Sequence, residues 1–320
     1  MSIGSGPLTI GAENAAVLRP AEGGGPAGAG GPAGAGVSAG ARRALRTVLA
    51  DRKLAVPVIV IALMLLFAIF GPIVWNHDPD AQNLLGSLQS PSLSHPLGTD
   101  QLGRDVLARV ADGARISLLV ATLVTIAGGL VGGLIGLLAG TVGGASDGVV
   151  MRLMDAILAF PPLILAMAVT VGLGVGLDTA AVGVSLVSVP WYARLLRSEA
   201  LRIRSLPFIE AAHAMGATRG RILARHVVPH MLPVLFIQMA AAFGYAVLAL
   251  AALSFVGLGA QVPTPEWGAM ITEGLSYSLT GQWWISICPG VALLITVTAV
   301  SMLSDRLRDL LDPRGQYARL

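Results

Sequence analysis

Six long apolar segments limit what this chain can fold into more than any other feature of its sequence. They cover residues 54–74, 116–142, 156–171, 179–196, 231–256 and 284–303. Most of them approach or exceed the roughly 20 residues with which a helix crosses about 30 Å of hydrocarbon. A mean hydropathy of +0.75 and a charged fraction of only 12% exclude an ordinary soluble globular domain. We therefore expect an all-α polytopic membrane protein with about six transmembrane helices.

The third and fourth segments are the least regular pair. Residues 156–171 are few for a complete span, and the glycine-rich link 172–178 joins them to the next apolar segment. Two arrangements fit this pattern: two separate crossings, or a hairpin that dips into the bilayer and returns. The sequence alone leaves both open.

Positive charge is distributed unevenly about these segments. All but three of the 21 Lys and Arg residues would lie on one side of a six-span protein, the exceptions being Arg104, Arg109 and Arg115 between the first two spans. By the positive-inside rule, both termini and residues 199–229 face the cytoplasm. Because the arginines follow the membrane edges and form no single basic face, we expect no nucleic-acid partner.

Composition divides the chain into a tail and a membrane domain. Gly, Ala and Pro dominate residues 20–41, which hold too little apolar bulk to form a core. We expect a disordered cytoplasmic tail over residues 1–50, one transmembrane domain over 51–314, and a short cytoplasmic tail over 315–320.

The residues predict no catalytic site, cofactor or metal. Lys53 is the only lysine and follows Arg52, so no Gly-x-x-x-x-Gly-Lys-Ser/Thr loop is present, and this chain does not hydrolyse ATP by a P-loop mechanism. Ionisable residues are nearly absent inside the spans, which argues against a proton-coupled carrier. Arg152 and Asp155, three residues apart on one helix face, are expected to pair at the membrane boundary rather than touch a substrate.

The second apolar segment carries glycines at a four-residue spacing, which lets another helix approach closely. They are Gly128, Gly132, Gly136 and Gly140, followed by Gly144. Packing within this subunit and contact with a second subunit both fit this stripe.

Residues 199–229 form a polar, arginine-bearing segment between two spans. Pro207 suits the first turn of a short helix that continues over 208–215, and Gly216 suits the left-handed residue that closes it. Thr218 can cap a second short helix that ends before Pro229. This helix would place Ile222, Leu223 and Val227 on one face.

The exposed face of this helical pair has the chemistry of a docking surface. Glu210 offers a carboxylate to a partner, small Ala211 and Ala212 permit close approach of another backbone, and Arg221 and Arg225 lie on the polar side. An ordinary helical hairpin without a partner is the alternative.

The spacing of this segment resembles the EAA loop of bacterial ABC importer permeases. That loop reads Glu-Ala-Ala, three residues, Gly, nine residues, an apolar position, one residue and Leu-Pro. Here His226 stands at the apolar position, as in the peptide-transporter branch, and Val228 replaces the Leu before Pro229. The resemblance implies a loop that docks on a separate ATPase subunit. The loop residues are Glu210, Ala211, Ala212, Gly216, Arg221, Arg225, His226 and Pro229.

The wider resemblance, over residues 54–314, is to the C-type permease subunit of dipeptide and oligopeptide ABC importers. The matching stretches are His95-Pro96-Leu97-Gly98-Thr99-Asp100 with Gly103-Arg104-Asp105, Met151-Arg152 with Asp155, Ala159-Phe160-Pro161, Leu253-Ser254-Phe255-Val256-Gly257-Leu258-Gly259, Pro263-Thr264-Pro265 with Trp267-Gly268-Ala269-Met270, Trp283-Trp284, and Leu307-Arg308-Asp309 with Leu311-Asp312-Pro313-Arg314.

This resemblance implies a type I importer permease fold in the bacterial cell membrane. The implied partners are a homologous second permease, two ATP-binding ATPase subunits and an extracytoplasmic solute-binding protein. The implied cargo is a peptide, with nickel chelates, glutathione or opines as rivals in the same family. From other classes, a self-sufficient secondary carrier or a non-transporting scaffold is the alternative. The residues that line a substrate pathway are not identifiable from the sequence.

Overall fold

The computed structural model describes residues 52–311, which are predominantly helical. Within this range the β-structure is limited to one isolated bridge between Thr99 and Asp105, which confirms the all-α class. The helices are α1 (Arg52–Val74), α2 (Val106–Val142), α3 (Gly144–Leu158), α4 (Pro162–Leu173), α5 (Leu177–Arg204), α6 (Pro207–Ala214), α7 (Arg219–Ile222), α8 (Val228–Phe255), α9 (Trp267–Ser278) and α10 (Trp284–Leu311). The predicted tails, residues 1–50 and 315–320, lie outside the described residues.

The number of helices that are long and apolar enough to span a bilayer agrees with about six membrane crossings. By length and composition, five helical stretches of the described chain can span a bilayer: α1, α2, α5, α8 with the turns before it, and α10. The pair α3 and α4 is bent by 91° and would form a sixth span if it crosses as one unit. The prediction of about six spans is therefore confirmed.

The third predicted segment, 156–171, is broken rather than straight. Helix α3 ends at Leu158, and α4 begins at Pro162 after the extended residue Pro161. A proline has no backbone N–H and disfavours a helical conformation in the residue before it, so two adjacent prolines interrupt the helix here. The fourth segment, by contrast, belongs to the uninterrupted 28-residue helix α5.

Helices α2 and α5 pack along the glycine stripe, which decides between its two interpretations. A Cβ atom built on Gly132 would lie 2.4 Å from the carbonyl oxygen of Val189 in α5. One built on Gly136 would lie 2.3 Å from the carbonyl oxygen of Ala193. The stripe therefore brings two backbones of the same subunit into contact, as small residues do in membrane helix pairs.

Arginines of α5 fix its polar end to the neighbouring helices. Arg197 makes two hydrogen bonds of 2.6 Å to the carboxylate of Asp147 in α3. Arg204 donates to the carbonyl oxygens of Gly140 (2.8 Å) and Thr141 (2.9 Å), which lie in the last turn of α2 and lack helical partners. These contacts hold the start of the following loop against α2.

The predicted pair of Arg152 and Asp155 is not the pair that the structure contains. The carboxylate of Asp155 lies 3.5 Å from the guanidinium of Arg194 in α5. Both partners are more than half exposed, so this contact contributes little to stability.

At the opposite end of α2, charged side chains are buried. Arg104 bonds Asp100 (2.5 Å) and Glu273 of α9 (2.8 Å), and its side chain is only 1% exposed. Arg109 is equally buried and lies 3.5 Å from the same Glu273 carboxylate. Asp105 caps α2 by accepting from the backbone N–H of Ala108 at 2.7 Å. This charged cluster attaches α9 to the segment that precedes α2.

Two tryptophan indoles complete this attachment. The ring N–H of Trp267 donates to the carbonyl of Val110 at 3.1 Å, and that of Trp284 donates to the carbonyl of Thr99 at 3.1 Å. Both side chains are buried, at 0% and 6% exposure. Aromatic burial with a satisfied N–H fixes α9 and α10 to the same side of the protein as the start of α2.

Candidate functional site

The predicted helical pair is present, and its turn has a specific geometry. Helix α6 opens with Pro207 and is closed by Gly216, whose φ of +81° lies in the left-handed region. The N–H of Gly216 donates to the carbonyl of His213, and that of Ala217 donates to the carbonyl of Ala212. These two bonds form a Schellman motif, which satisfies the last carbonyls of the helix and sets the direction of the next one.

The second helix begins as predicted but does not end where we expected. The Thr218 hydroxyl accepts from the N–H of Arg221 at 3.4 Å, which caps α7. After α7 the chain continues through a π-helical turn, Leu223–Val227, directly into α8. The predicted stop before Pro229 is wrong, because Pro229 lies in the first turn of α8, where a missing N–H is tolerated.

The inward face of the loop is apolar and belongs to the core of the protein. Ile209, Ala212, Ile222 and Val227 are at most 5% exposed and pack in one cluster with Ile203 of α5. Ala212 therefore packs inside the subunit and is not open to another backbone, in contrast to our expectation. Because this cluster continues into α5 and α8, the loop is held firmly on the ends of two spans.

The outward face presents the remaining predicted residues to a partner. Glu210, Ala211, Arg221 and Arg225 are all exposed. Beside them Met215, which precedes the glycine turn, is 82% exposed. The sequence analysis missed Met215, although its place one residue before the glycine turn puts it at the tip of the hairpin. A carboxylate, two guanidinium groups and a flexible apolar side chain together form a surface suited to protein contact.

His226 stands where the pattern in the sequence analysis expects an apolar side chain, and it lies beside an aromatic ring. Its ring is partly buried and lies 6.0 Å from the ring of Phe208. The Phe208 ring also stacks on His230 at 5.5 Å, and Nδ1 of His230 donates to the carbonyl of His226 at 2.6 Å. The His226 ring is therefore one of three neighbouring rings at this point of the loop.

The loop and the spans that carry it match a known family of membrane proteins. The family described as "Binding-protein-dependent transport system inner membrane component" matches residues 132–316, which include the whole loop. The chain belongs to this family. The description "N-terminal TM domain of oligopeptide transport permease C" matches residues 42–91, which include α1.

Curated proteins align with this chain over most of its length. The probable D,D-dipeptide transport system permease protein DdpC of Escherichia coli (strain K12) is 41% identical over 80% of this chain and 86% of its own. The dipeptide transport system permease protein DppC of the same strain is 40% identical over 81% and 88%. A putative peptide transport system permease protein of Brucella abortus is 35% identical over 86% and 90%.

A solved structure, the inward-facing MetNI methionine ABC transporter, matches 61% of this chain and 95% of its own at 24% identity and a TM-score of 0.46.

Family membership makes this chain a multi-pass permease of the inner membrane and a transport component of an ABC importer. It implies a second permease, ATPase subunits and a substrate-binding protein as partners.

Proposed function

We propose that this chain is the permease subunit of an ABC importer for di- or oligopeptides. It forms the translocation pathway with a homologous permease and couples to two ATPase subunits through residues 199–229. The observation that carries the coupling role is the loop itself: an exposed face bearing Glu210 and Met215 on a hairpin whose inward face is packed between α5 and α8. A push on such a loop moves two spans with it.

The assignment of peptides as the transported substrate rests on the curated relatives. Three of them are named as dipeptide or peptide permeases, and each aligns with at least 80% of this chain. Nickel chelates, glutathione and opines stay rivals within the family. A self-sufficient carrier is disfavoured because the spans of the described chain offer no relay of buried carboxylates or histidines.

The ATPase subunits of an importer hydrolyse cytoplasmic ATP, so the loop 199–229 is assigned to the cytoplasmic side. Both termini are assigned to the same side. Residues 75–105 and α9 then lie outside, where the solute-binding protein docks. The positive-inside distribution of arginines supports this orientation.

Thiol labelling tests this orientation. We place single cysteines at Ser92 and at Ser205, both exposed, in a background with Cys288→Ala. In intact cells an impermeant maleimide is expected to label the cysteine at 92 and not that at 205, which becomes reactive after permeabilisation. Labelling at 205 alone in intact cells would reverse the topology.

Substitutions in the loop test the coupling. Gly216→Val places a β-branched residue at φ +81°, which costs about 1 to 2 kcal/mol and misdirects α7. Glu210→Lys reverses a charge on the docking face, where a like-charged contact costs about 2 to 5 kcal/mol. We expect both variants to reach the membrane but to retain less ATPase on purification and to lose ATP-dependent peptide uptake.

Gly220→Val is the matched control for the glycine substitution. A Cβ atom built on either Gly220 or Gly216 would meet no atom within 4 Å. The two glycines differ in backbone conformation, because only Gly216 has a positive φ. Because Gly220 lies in the same loop, this variant reports the effect of an added side chain without left-handed strain, and we expect Gly216→Val to lose more ATPase and more uptake than it does. Normal ATPase recovery and normal uptake in Gly216→Val and Glu210→Lys would refute the coupling role of the loop.

A further inference from the structure

A cavity of about 240 Å³ lies beside the bend between α3 and α4, and its lining is chemically mixed. Pro162, the first residue of α4, forms one edge. Helix α8 contributes a stripe at the spacing i, i+3, i+4 and i+7, which places its members on one helix face. The remaining lining residues are Ser188, Trp191 and Tyr192 of α5 and Gln238, Ala241, Ala242 and Tyr245 of α8.

Several polar groups in this lining, those of Tyr192 and Gln238 among them, have no partners within the described residues. The Tyr192 side chain is 1% exposed, yet its hydroxyl makes no hydrogen bond. The side-chain amide of Gln238 is likewise without a hydrogen bond to any described residue. A buried hydroxyl without a partner, such as that of Tyr192, costs about 1 to 3 kcal/mol in proteins, and an unpaired polar group costs more in hydrocarbon. Gln238 is partly buried. A surface that faced only lipid would not keep these groups unpaired.

A second cavity in the spans provides a contrast. It has a volume of about 340 Å³ and lies among α1, α2, α8 and α10. Its threonine hydroxyls are satisfied, since Thr122 donates to Leu118 and Thr125 to Ala121 in the same helix. An apolar cavity with satisfied hydroxyls needs no polar occupant. Unpaired groups therefore distinguish the cavity beside the bend.

Large aromatic side chains flank the unpaired groups. Trp191 is 58% exposed and Tyr245 is 42% exposed on the surface of the chain. Their rings offer apolar faces, while the Gln238 amide offers both a donor and an acceptor. None of the eight lining residues carries a charge at neutral pH. This set can bind peptide groups and apolar side chains but cannot select for a charged side chain.

We propose that the cavity between α5 and α8 is a contact site for the peptide in transit, with Gln238 and Tyr192 bonding its peptide groups and Trp191 and Tyr245 packing on its side chains. This assignment rests on the proposed function and adds residues to the pathway. The peptide bond carries one donor and one acceptor, and the amide of Gln238 offers both types of group in return.

Water access provides the first test, because a thiol reacts with a soluble maleimide only where water reaches it. In the complete importer with Cys288→Ala, we compare Ala241→Cys, which lines the cavity, with Phe236→Cys. Phe236 is 63% exposed and lies about 160° around α8 from Gln238, at 100° per residue. We expect the cysteine at 241 to react at least about tenfold faster than the cysteine at 236 in at least one of two states, with nucleotide trapped on the ATPase subunits or without it. Equal rates in both states would overturn the assignment.

Uptake by the complete importer in proteoliposomes provides the second test, with dialanine as the probe. Gln238→Leu keeps the approximate size of the side chain and removes its hydrogen bonds, so we expect about a tenfold loss of kcat/KM. Trp191→Ala should lower it similarly, whereas Phe236→Leu should leave it unchanged. The depsipeptide analogue, in which an ester replaces the amide, keeps the carbonyl acceptor and loses the N–H donor, so the difference between wild type and Gln238→Leu should become smaller.

The outcomes separate this inference from the proposed function. If the unsubstituted importer takes up no dialanine with ATP, the peptide function fails, and the site fails with it. If it takes up dialanine and both cavity variants transport like the Phe236→Leu control, only the site is refuted. A tenfold loss in both variants, with normal binding of ATPase subunits, supports it.

Discussion

Gly136→Val is expected to keep the subunit from folding stably in the membrane. The Cβ alone would lie 2.3 Å from the carbonyl oxygen of Ala193 and 2.9 Å from the N–H nitrogen of Arg197. Backbone atoms cannot move aside as the end of a side chain can, so α2 and α5 would have to separate. Overpacking of this kind costs about 3 kcal/mol, a large share of the stability of a typical domain.

Gly148→Val is the control for this substitution. Gly148 is also in a helix, and a Cβ built on it meets no atom within 4 Å. The amount of folded protein in the membrane and the melting temperature in detergent measure both variants. We expect normal amounts for Gly148→Val and a severe loss for Gly136→Val. Equal melting temperatures would show that the helices are not in the contact described above.

Arg104→Met is expected to release α9 from the segment that precedes α2. Arg104 is buried between Asp100 and Glu273, and its removal leaves two carboxylates with only Arg109 to compensate them. Breaking a buried ion pair by removing one partner costs about 3 to 5 kcal/mol. The melting temperature in detergent should fall, and limited proteolysis should cleave near α9.

Two further variants make this result specific. Arg115→Met removes an arginine that is 57% exposed and 3.7 Å from Asp112, which should cost under about 1 kcal/mol. Adding Glu273→Gln to Arg104→Met removes one uncompensated charge and should restore part of the lost stability. An Arg104→Met variant as stable as Arg115→Met would mean that the charged cluster does not hold α9.

Local chemistry explains the parts of the fold and loop that the sequence predicts. Pro207, Gly216 and Thr218 each act through their own backbone or the next turn, so their roles are visible without the tertiary structure. The spans are visible because a bilayer demands long apolar runs. The predicted end of the second helix is wrong because Pro229, judged only from its neighbours in sequence, indicates a helix end. In the structure the π-helical turn before Pro229 continues into α8.

The features that the sequence does not predict depend on residues far apart in the chain. Helix α9 is short and contains Glu273, so no apolar run marks it. The burial of Arg104 depends on that same glutamate, 169 positions away. The second predicted span, 116–142, begins ten residues after the start of α2 at Val106, because Arg109, Asp112 and Arg115 interrupt the apolar pattern of its first turns. Gln238 and Tyr192 line one cavity only because α5 and α8 pack together.

The close contact of α2 with α5 also restricts how the subunit can move. The glycines recur every four residues, so a slide of one residue, about 1.5 Å along the axis, would put larger side chains against the facing backbone. Arg204 opposes the same slide at the polar end, because it donates to two carbonyl oxygens in the last turn of α2. Helices α2 and α5 therefore move together as one rigid body. The displacement of each remaining span during a transport cycle is best measured relative to that body.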